Sequence, residues 1–368
     1  MQLSLILPGA GIAFLINLIL TPVIIRISHR NNWYDQLDHR KIHTEDTPRL
    51  GGVGFFLSFL LTAFILTILL PLLDSSFTTT RFFSNKNILL FLGFFIVHGL
   101  GLVDDFVNIR AIYKLIGQIV AGALVAVGGA LIDGIYLPGV RWVLPLGPMS
   151  GAITIFWLIS ISNAVNLIDG LDGLAGGTGL IASAGIGTVH VINGNLSGAL
   201  FSFMLFGALL AFLVFNKPKA KVFMGDSGSL FLGFALGALA FIGAGDGAAD
   251  PSHFQAGFIV TITVLIVPII DMVAAIMRRI RERKPIHHPD KEHLHHKLLA
   301  FGFSTGQILA MIHAVNLLMA LSVIGRSLAI RNEGSLLAAD LFILVAWLIA
   351  ASLFTWLHFA NKARKKLA

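Results

Sequence analysis

Residues 173–216 read GLAGGTGLIASAGIGTVHVINGNLSGALFSFMLFGALLAFLVFN, a run with no Asp, Glu, Lys or Arg. A membrane-crossing helix needs about 20 mostly apolar residues. The run therefore holds two crossings, and Asn193-Gly194-Asn195 supplies the turn between them. Similar segments recur at about 2–25, 51–73, 87–103, 115–132, 151–168, 227–245, 254–277, 306–325 and 341–360. Composition agrees: 56% of residues are hydrophobic, 12% are charged and the mean hydropathy is +0.85. An ordinary soluble chain carries about 25% charged residues, so a cytosolic or disordered protein is excluded. The expected fold is an all-α polytopic membrane protein with about 11 transmembrane helices, residues 1–368 forming a single domain. Between Asp133 and Gly147, apolar residues alternate around Pro138-Gly139 and predict a small extracytoplasmic β-hairpin. The absence of cysteine excludes disulfides and thiolate metal sites.

Charge placement orients the chain, because cytoplasmic loops collect Lys and Arg. Of the 26 cationic residues, 21 fall in alternate loops on one side of the expected layout. That side is the expected cytoplasmic face, with the N-terminus outside and the C-terminus inside. The net charge of +7 then reports orientation and contact with membrane lipid, and nucleic acid is not needed as a partner. A transporter would place paired ionisable groups at mid-membrane. Here only Asp271 lies well inside an expected span. The remaining polar groups of interest gather at cytoplasmic helix ends, as in an enzyme working at the membrane surface.

Four segments carry candidate chemistry. Asp104-Asp105 ends the third span and Lys114 opens the fourth. Adjacent carboxylates repel unless a cation or proton intervenes, which makes a base-plus-metal site or a solvated helix end. Asn166, Asp169 and Asp172 recur every third residue in NAVNLIDGLDGLAGG, so a continuing helix would put them on one face. Gly170, Gly173, Gly176 and Gly177 would let a ligand approach the backbone. In NKPKAKVFMGDSGSL, Asn216 precedes Asp226, which starts a helix that Ser227 or Ser229 could cap. The loop from Arg278 to Lys297 holds His293, His295 and His296; helical spacing would pair His293 with His296 and turn His295 away. Arginines and imidazoles together suit phosphate and sugar hydroxyls. Zinc is the rival, but neither Cys nor His-Glu-x-x-His is present.

Together these stretches, with Arg40-Lys41-Ile42-His43 and Pro48-Arg49-Leu50-Gly51-Gly52, resemble the polyprenyl-phosphate N-acetylhexosamine-1-phosphate transferases over residues 35–305. The segment Pro289-Asp290-Lys291-Glu292-His293-Leu294-His295-His296 is similar to the undecaprenyl-phosphate N-acetylglucosaminyl-1-phosphate transferase branch. The alternative within the superfamily is the phospho-N-acetylmuramoyl-pentapeptide transferase of peptidoglycan synthesis, part of whose histidine run Ile286-His287-His288 imitates. The resemblance implies an enzyme of the bacterial inner membrane that acts on a UDP-amino sugar and undecaprenyl phosphate. Its product would be undecaprenyl-diphospho-N-acetylglucosamine with release of UMP, the first membrane step of an envelope glycan such as teichoic acid or O-antigen. It implies Mg²⁺, with Mn²⁺ as a substitute, and admits a homodimer. By the same resemblance Asp104, Asp105 and Asp226 are catalytic, and Asp226 and Asp105 hold the metal. Lys114, Asn166, Asp169, Asp172, Asn216, His293, His295 and His296 bind substrate. Direct displacement and a phospho-aspartate route both stay open, as does the role of Asp271.

Overall fold

The computed structural model describes residues 2–34, 47–73, 85–136, 138–139, 143–242, 251–285 and 292–367. The expected Arg40–His43 loop and the Ile286–Lys291 segment lie outside the described residues.

The helices, in chain order, are α1 (Gln2–Asn31), α2 (Gly51–Leu73), α3 (Asn85–Val107), α4 (Ala111–Val127), α5 (Ser150–Ile168), α6 (Leu174–Ile192), α7 (Leu196–Asn216) and α8 (Gly225–Leu239). There follow α9 (Pro251–Val264), α10 (Ile266–Arg281), α11 (Leu294–Ala300), α12 (Thr305–Arg331) and α13 (Leu336–Leu367). Two short strands, β1 (Gly134–Tyr136) and β2 (Val143–Pro145), pair antiparallel between α4 and α5, with Ile135 opposite Leu144.

Among the described residues eight helices are long and apolar enough to cross a membrane, or nine if α9 and α10 form one broken span. The chain is a multi-pass, all-α membrane protein. The difference from the eleven expected segments is one of length. At 1.5 Å per residue, the 17 residues of α4 and the 15 of α8 reach about 26 and 23 Å, short of a hydrocarbon core of about 30 Å. Helix α8 is buried at every position from Ser227 to Leu239. A helix apolar all round belongs in the middle of a bundle, and α8 packs against α2, α3, α5, α6 and α7. The expected hairpin at 173–216 is α6 and α7, packed on each other with Asn195 capping α7 through Gly198 N–H at 3.0 Å. The expected single span 254–277 is instead bent by 72° at Leu265, where α9 gives way to α10. Pro268 falls in the first turn of α10, where its missing N–H costs no intrahelical bond.

The two ends of the bundle differ in character. Arg331 donates to the carbonyl of Ile192 at the C-terminal end of α6 (3.0 Å), whereas His313, about five turns earlier on α12, faces Gly177 near the start of α6. Near the Arg331 end, Arg326 Nε donates to Asp340 Oδ1 at 2.8 Å and Tyr136 Oη donates to Asp340 Oδ2 at 2.6 Å. The Arg326 guanidinium also lies 4.5 Å above the Tyr136 ring. This buried triad fastens β1 to α12 and α13. The carboxylates of the sequence motifs gather at the other end.

Candidate active site

The site is assembled around the N-terminus of α8. Its first-turn N–H groups have no intrahelical acceptor, and no serine hydroxyl caps them. Asp105, from the last turn of α3, does so: its Oδ1 accepts from Asp226 N at 2.8 Å and its Oδ2 from Ser227 N at 3.0 Å. Ser229 Oγ points elsewhere, donating to Asn166 Oδ1 at 3.2 Å and lying 3.0 Å from Gly225 O. The close approach of α3 and α8 needs Gly225, whose φ is +72° and where a Cβ would lie 2.2 Å from Arg49 O and 2.8 Å from Asp105 Oδ2. The start of α2 seals the same corner, with Gly51 N–H donating to Phe223 O (2.9 Å) and Gly52 N–H to Met224 O (2.8 Å).

Asp104, one residue before the cap, turns the other way. Its Oδ1 accepts from Ile109 N at 2.8 Å, closing the α3–α4 turn, and its Oδ2 meets Lys114 Nζ. The same ammonium donates to Asp226 Oδ2 at 2.8 Å. Side chains of Lys114 and Asp226 are 23% and 30% exposed, so this pair opens to the surface. The adjacent acids thus have separate tasks: Asp104 shares a cation with Asp226, and Asp105 holds the backbone beneath Asp226.

The α5–α6 turn supplies the facing wall. Helix α5 stops at Ile168 and Gly173 adopts φ +79°, so Asn166, Asp169 and Asp172 do not share a helical face. The glycine run ends the helix that would have aligned them. Asn166 reaches Ser229, as above. Asp169, half-buried, has its carboxyl pushed well above the ordinary carboxylate range by burial and by the negative charges of Asp226, Asp105 and Asp172. Asp172 Oδ2 accepts from Ala220 N at 3.0 Å, and Asn216 accepts from Gly173 N (3.0 Å) while donating to Val222 O (2.8 Å). Asp172 and Asn216 therefore tie the α5–α6 turn to the α7–α8 loop. Lys217, Lys219 and Lys221 are exposed on that loop.

The histidines form a third wall. His293 precedes α11, so helical spacing does not apply to it. Its ring lies parallel to that of His295 at 6.2 Å, and His295 and His296 are 4.2 Å apart. Far from turning away, His295 is buried between its neighbours, and neither ring nitrogen has a hydrogen-bond partner among the described residues. A Cβ on Gly170 would fall 2.4 Å from its Nε2, which places the imidazole against the turn that carries Asp169. Burial and the neighbouring His296 bring the His295 pKa down to about 3, so the ring is neutral. Gly176 and Gly177 meet Phe212 and His313, making room for protein rather than for a ligand.

Sequence reading missed two connections. Asp271, on α10, accepts from Leu294 N at 2.9 Å and pairs with His293 Nδ1 at 2.9 Å. His98 meets Ser227 O through Nδ1 at 3.0 Å while stacking on Phe56. Both depend on contacts between distant helices, and a lone polar residue in an apolar helix is the sole local signal.

Chemically, among the described residues Asp104, Asp105 and Asp226 outnumber the ammonium of Lys114 that they adjoin, so the wall favours a further cation. Carboxylate oxygens are the donors a hard divalent ion takes. Among the described residues no three His, Asp or Glu side chains converge as a closed metal cage. Such a wall suits Mg²⁺, which keeps waters and is held by one or two carboxylates together with substrate phosphates. Asp226 has the exposure to contribute; both oxygens of Asp105 already accept backbone N–H groups.

Residues 87–244 match the model of glycosyl transferase family 4, a range that includes Asp104, Lys114, the α5–α6 turn and Asp226. The chain is 33% identical over 317 residues to the probable undecaprenyl-phosphate N-acetylglucosaminyl 1-phosphate transferase of Bacillus subtilis (strain 168), covering 85% of this chain and 84% of that one. It is 35% identical over 290 residues to the decaprenyl-phosphate N-acetylglucosaminephosphotransferase of Mycobacterium leprae (strain TN), covering 74% and 72%. It is 34% identical over 252 residues to the phospho-N-acetylmuramoyl-pentapeptide-transferase of Bacillus thuringiensis (strain Al Hakam), covering 64% and 75%. With one third of the residues identical and four fifths of a relative's length covered, the chain belongs to glycosyl transferase family 4, among the polyprenyl-phosphate N-acetylhexosamine-1-phosphate transferases.

Proposed function

We propose that the protein transfers N-acetylglucosamine 1-phosphate from UDP-N-acetylglucosamine to undecaprenyl phosphate, giving undecaprenyl-diphospho-N-acetylglucosamine and UMP. The observation that carries the reading is the Lys114 ammonium set between Asp104 and Asp226 at the end of a membrane-spanning bundle. An oxygen of the lipid phosphate attacks the β-phosphorus of the nucleotide sugar, and the bond from that phosphorus to the bridging oxygen breaks, so the oxygen leaves on UMP. Two anions must meet, and alignment with charge neutralisation dominates such a reaction. Lys114 offsets phosphate charge, and Asp104 takes up or positions the proton of the lipid phosphate. Asp105 holds the first turn of α8 and hence the direction of Asp226. Asn166, Asp169 and Asp172 face the uridine side, and His293, His295 and His296 the sugar phosphate. Asp226 would hold Mg²⁺, or Mn²⁺ in its place, which when bound offsets charge on the pyrophosphate. In the membrane, the short α4 and α8 bring the apolar segments of the bundle to eleven, the site faces the cytoplasm, and the β1–β2 pair lies on the outer face.

The test is purified protein in detergent with undecaprenyl phosphate, Mg²⁺ and a panel of UDP-sugars, assayed for UMP. Release from UDP-N-acetylglucosamine is expected. Release only from the muramoyl-pentapeptide nucleotide would move the protein to the peptidoglycan branch, and no release from any sugar would reject the transferase reading.

A further inference from the structure

The first turn of α11 is fixed by a carboxylate that sits 23 residues earlier, on α10. Asp271 is 2% exposed and His293 5%. The carboxylate is bidentate, with Oδ1 taking Leu294 N–H and Oδ2 facing His293 Nδ1, both at 2.9 Å. The 72° bend between α9 and α10 directs the helix that carries Asp271. If capping were the whole task, a neutral Asn or Ser would cap as well without the desolvation cost of a buried charge. An ionised carboxylate only accepts, so it keeps the proton of His293 on Nδ1 and leaves Nε2 as the working nitrogen. The His293 ring in turn lies parallel to that of His295, which abuts Gly170 beside Asp169.

We propose that Asp271 is a positioning residue acting through His293: its carboxylate fixes the tautomer and ring direction of His293, and so aims Nε2 at the sugar phosphate across from the Asp104–Lys114–Asp226 cluster. This rests on the transferase reading above, since the role assigned is a role in that reaction.

In Asp271→Asn the amide oxygen still accepts Leu294 N–H, while its NH₂ opposes Nδ1 and favours the other tautomer. The fall expected in kcat is about 10–100-fold, the usual size for removing a partner that orients a working histidine, with KM for the nucleotide sugar little changed. In a His293→Ala background the same substitution should cost nothing further, because the two residues act as one unit. The ring ¹⁵N spectrum of histidine-labelled protein should show the Nδ1–H form at His293 in the parent and its loss in Asp271→Asn. Asp271→Glu, which keeps the charge and displaces it, should also lower kcat more than it changes KM, and carries the test if the Asn variant does not fold. Full additivity of the two substitutions, or an unchanged tautomer, would overturn the proposal while leaving the transferase reading intact. If the parent releases no UMP from any UDP-sugar, the transferase reading and this role fall together.

Discussion

Two adjacent aspartates with unlike surroundings show how much the residue scale decides. Asp105 spends both oxygens on backbone N–H groups, and bonds of that charge-assisted kind are worth about 1.5–3 kcal/mol each. Asp105→Ala should therefore lower stability by about 2 kcal/mol or more, read as a drop in thermal midpoint in detergent. Asp226→Asn should leave that midpoint near the parent value and abolish UMP release. The titration of Asp169 has a defined sign. Its folded pKa lies well above the ordinary 3.8, so the folded state holds the proton more tightly than the unfolded chain. Stability from this group is full below the ordinary value and is lost as pH rises through the folded value. The thermal midpoint of Asp169→Asn relative to the parent should accordingly rise from acid to neutral pH; a difference independent of pH would refute the assignment. The carboxylates themselves were legible in the sequence, as Asp-Asp and as the Asn166–Asp172 spacing. Which of them grips backbone and which shares the ammonium was not, because the deciding partner of Asp105 lies 121 residues away.

At the scale of elements, the departures from expectation occur where helices stop. Apolar length located α6 and α7, but apolar length alone does not distinguish a crossing from a buried pillar, and α8 is a pillar of 15 residues. Nor did it foresee the 72° bend at Leu265, since Val264-Leu265-Ile266-Val267 is apolar straight across the break. The α5–α6 turn is the element on which the site depends most. A methyl group on Gly170 would sit 2.4 Å from His295 Nε2, and the ring, buried on all sides, has little room to yield. Gly170→Ala should lower turnover at least tenfold, equivalent to about 1.4 kcal/mol in the barrier, with the α6–α7 hairpin unaffected. Normal kinetics in that variant would show that the histidine wall moves freely.

On the scale of the whole molecule, the two ends of the bundle are built for different purposes. The end with Arg326, Asp340 and Tyr136 is a closed, fully paired network. Removing one partner leaves a buried charge uncompensated, at a cost of about 3–5 kcal/mol. Arg326→Leu should lower the thermal midpoint sharply, and adding Asp340→Leu should recover part of the loss. The UMP-release rate of whatever fraction stays folded should match the parent, since α6 alone separates the ends by about 29 Å at 1.5 Å per residue over its 19 residues.

Membrane residence, the paired crossings of 173–216 and the identity of the acidic motifs were determined by the sequence itself. These follow from apolar length, charge spacing and turn chemistry, which are properties of neighbouring residues. The tertiary structure alone decided that Lys114 bridges Asp104 to an aspartate 112 residues on, that Asp105 caps α8, that Asn216 and Asp172 tie loops together, and that Asp271 faces His293. A carboxylate has two oxygens and several partners that would satisfy them. Which it meets depends on how distant helices pack, and local sequence carries no record of that choice.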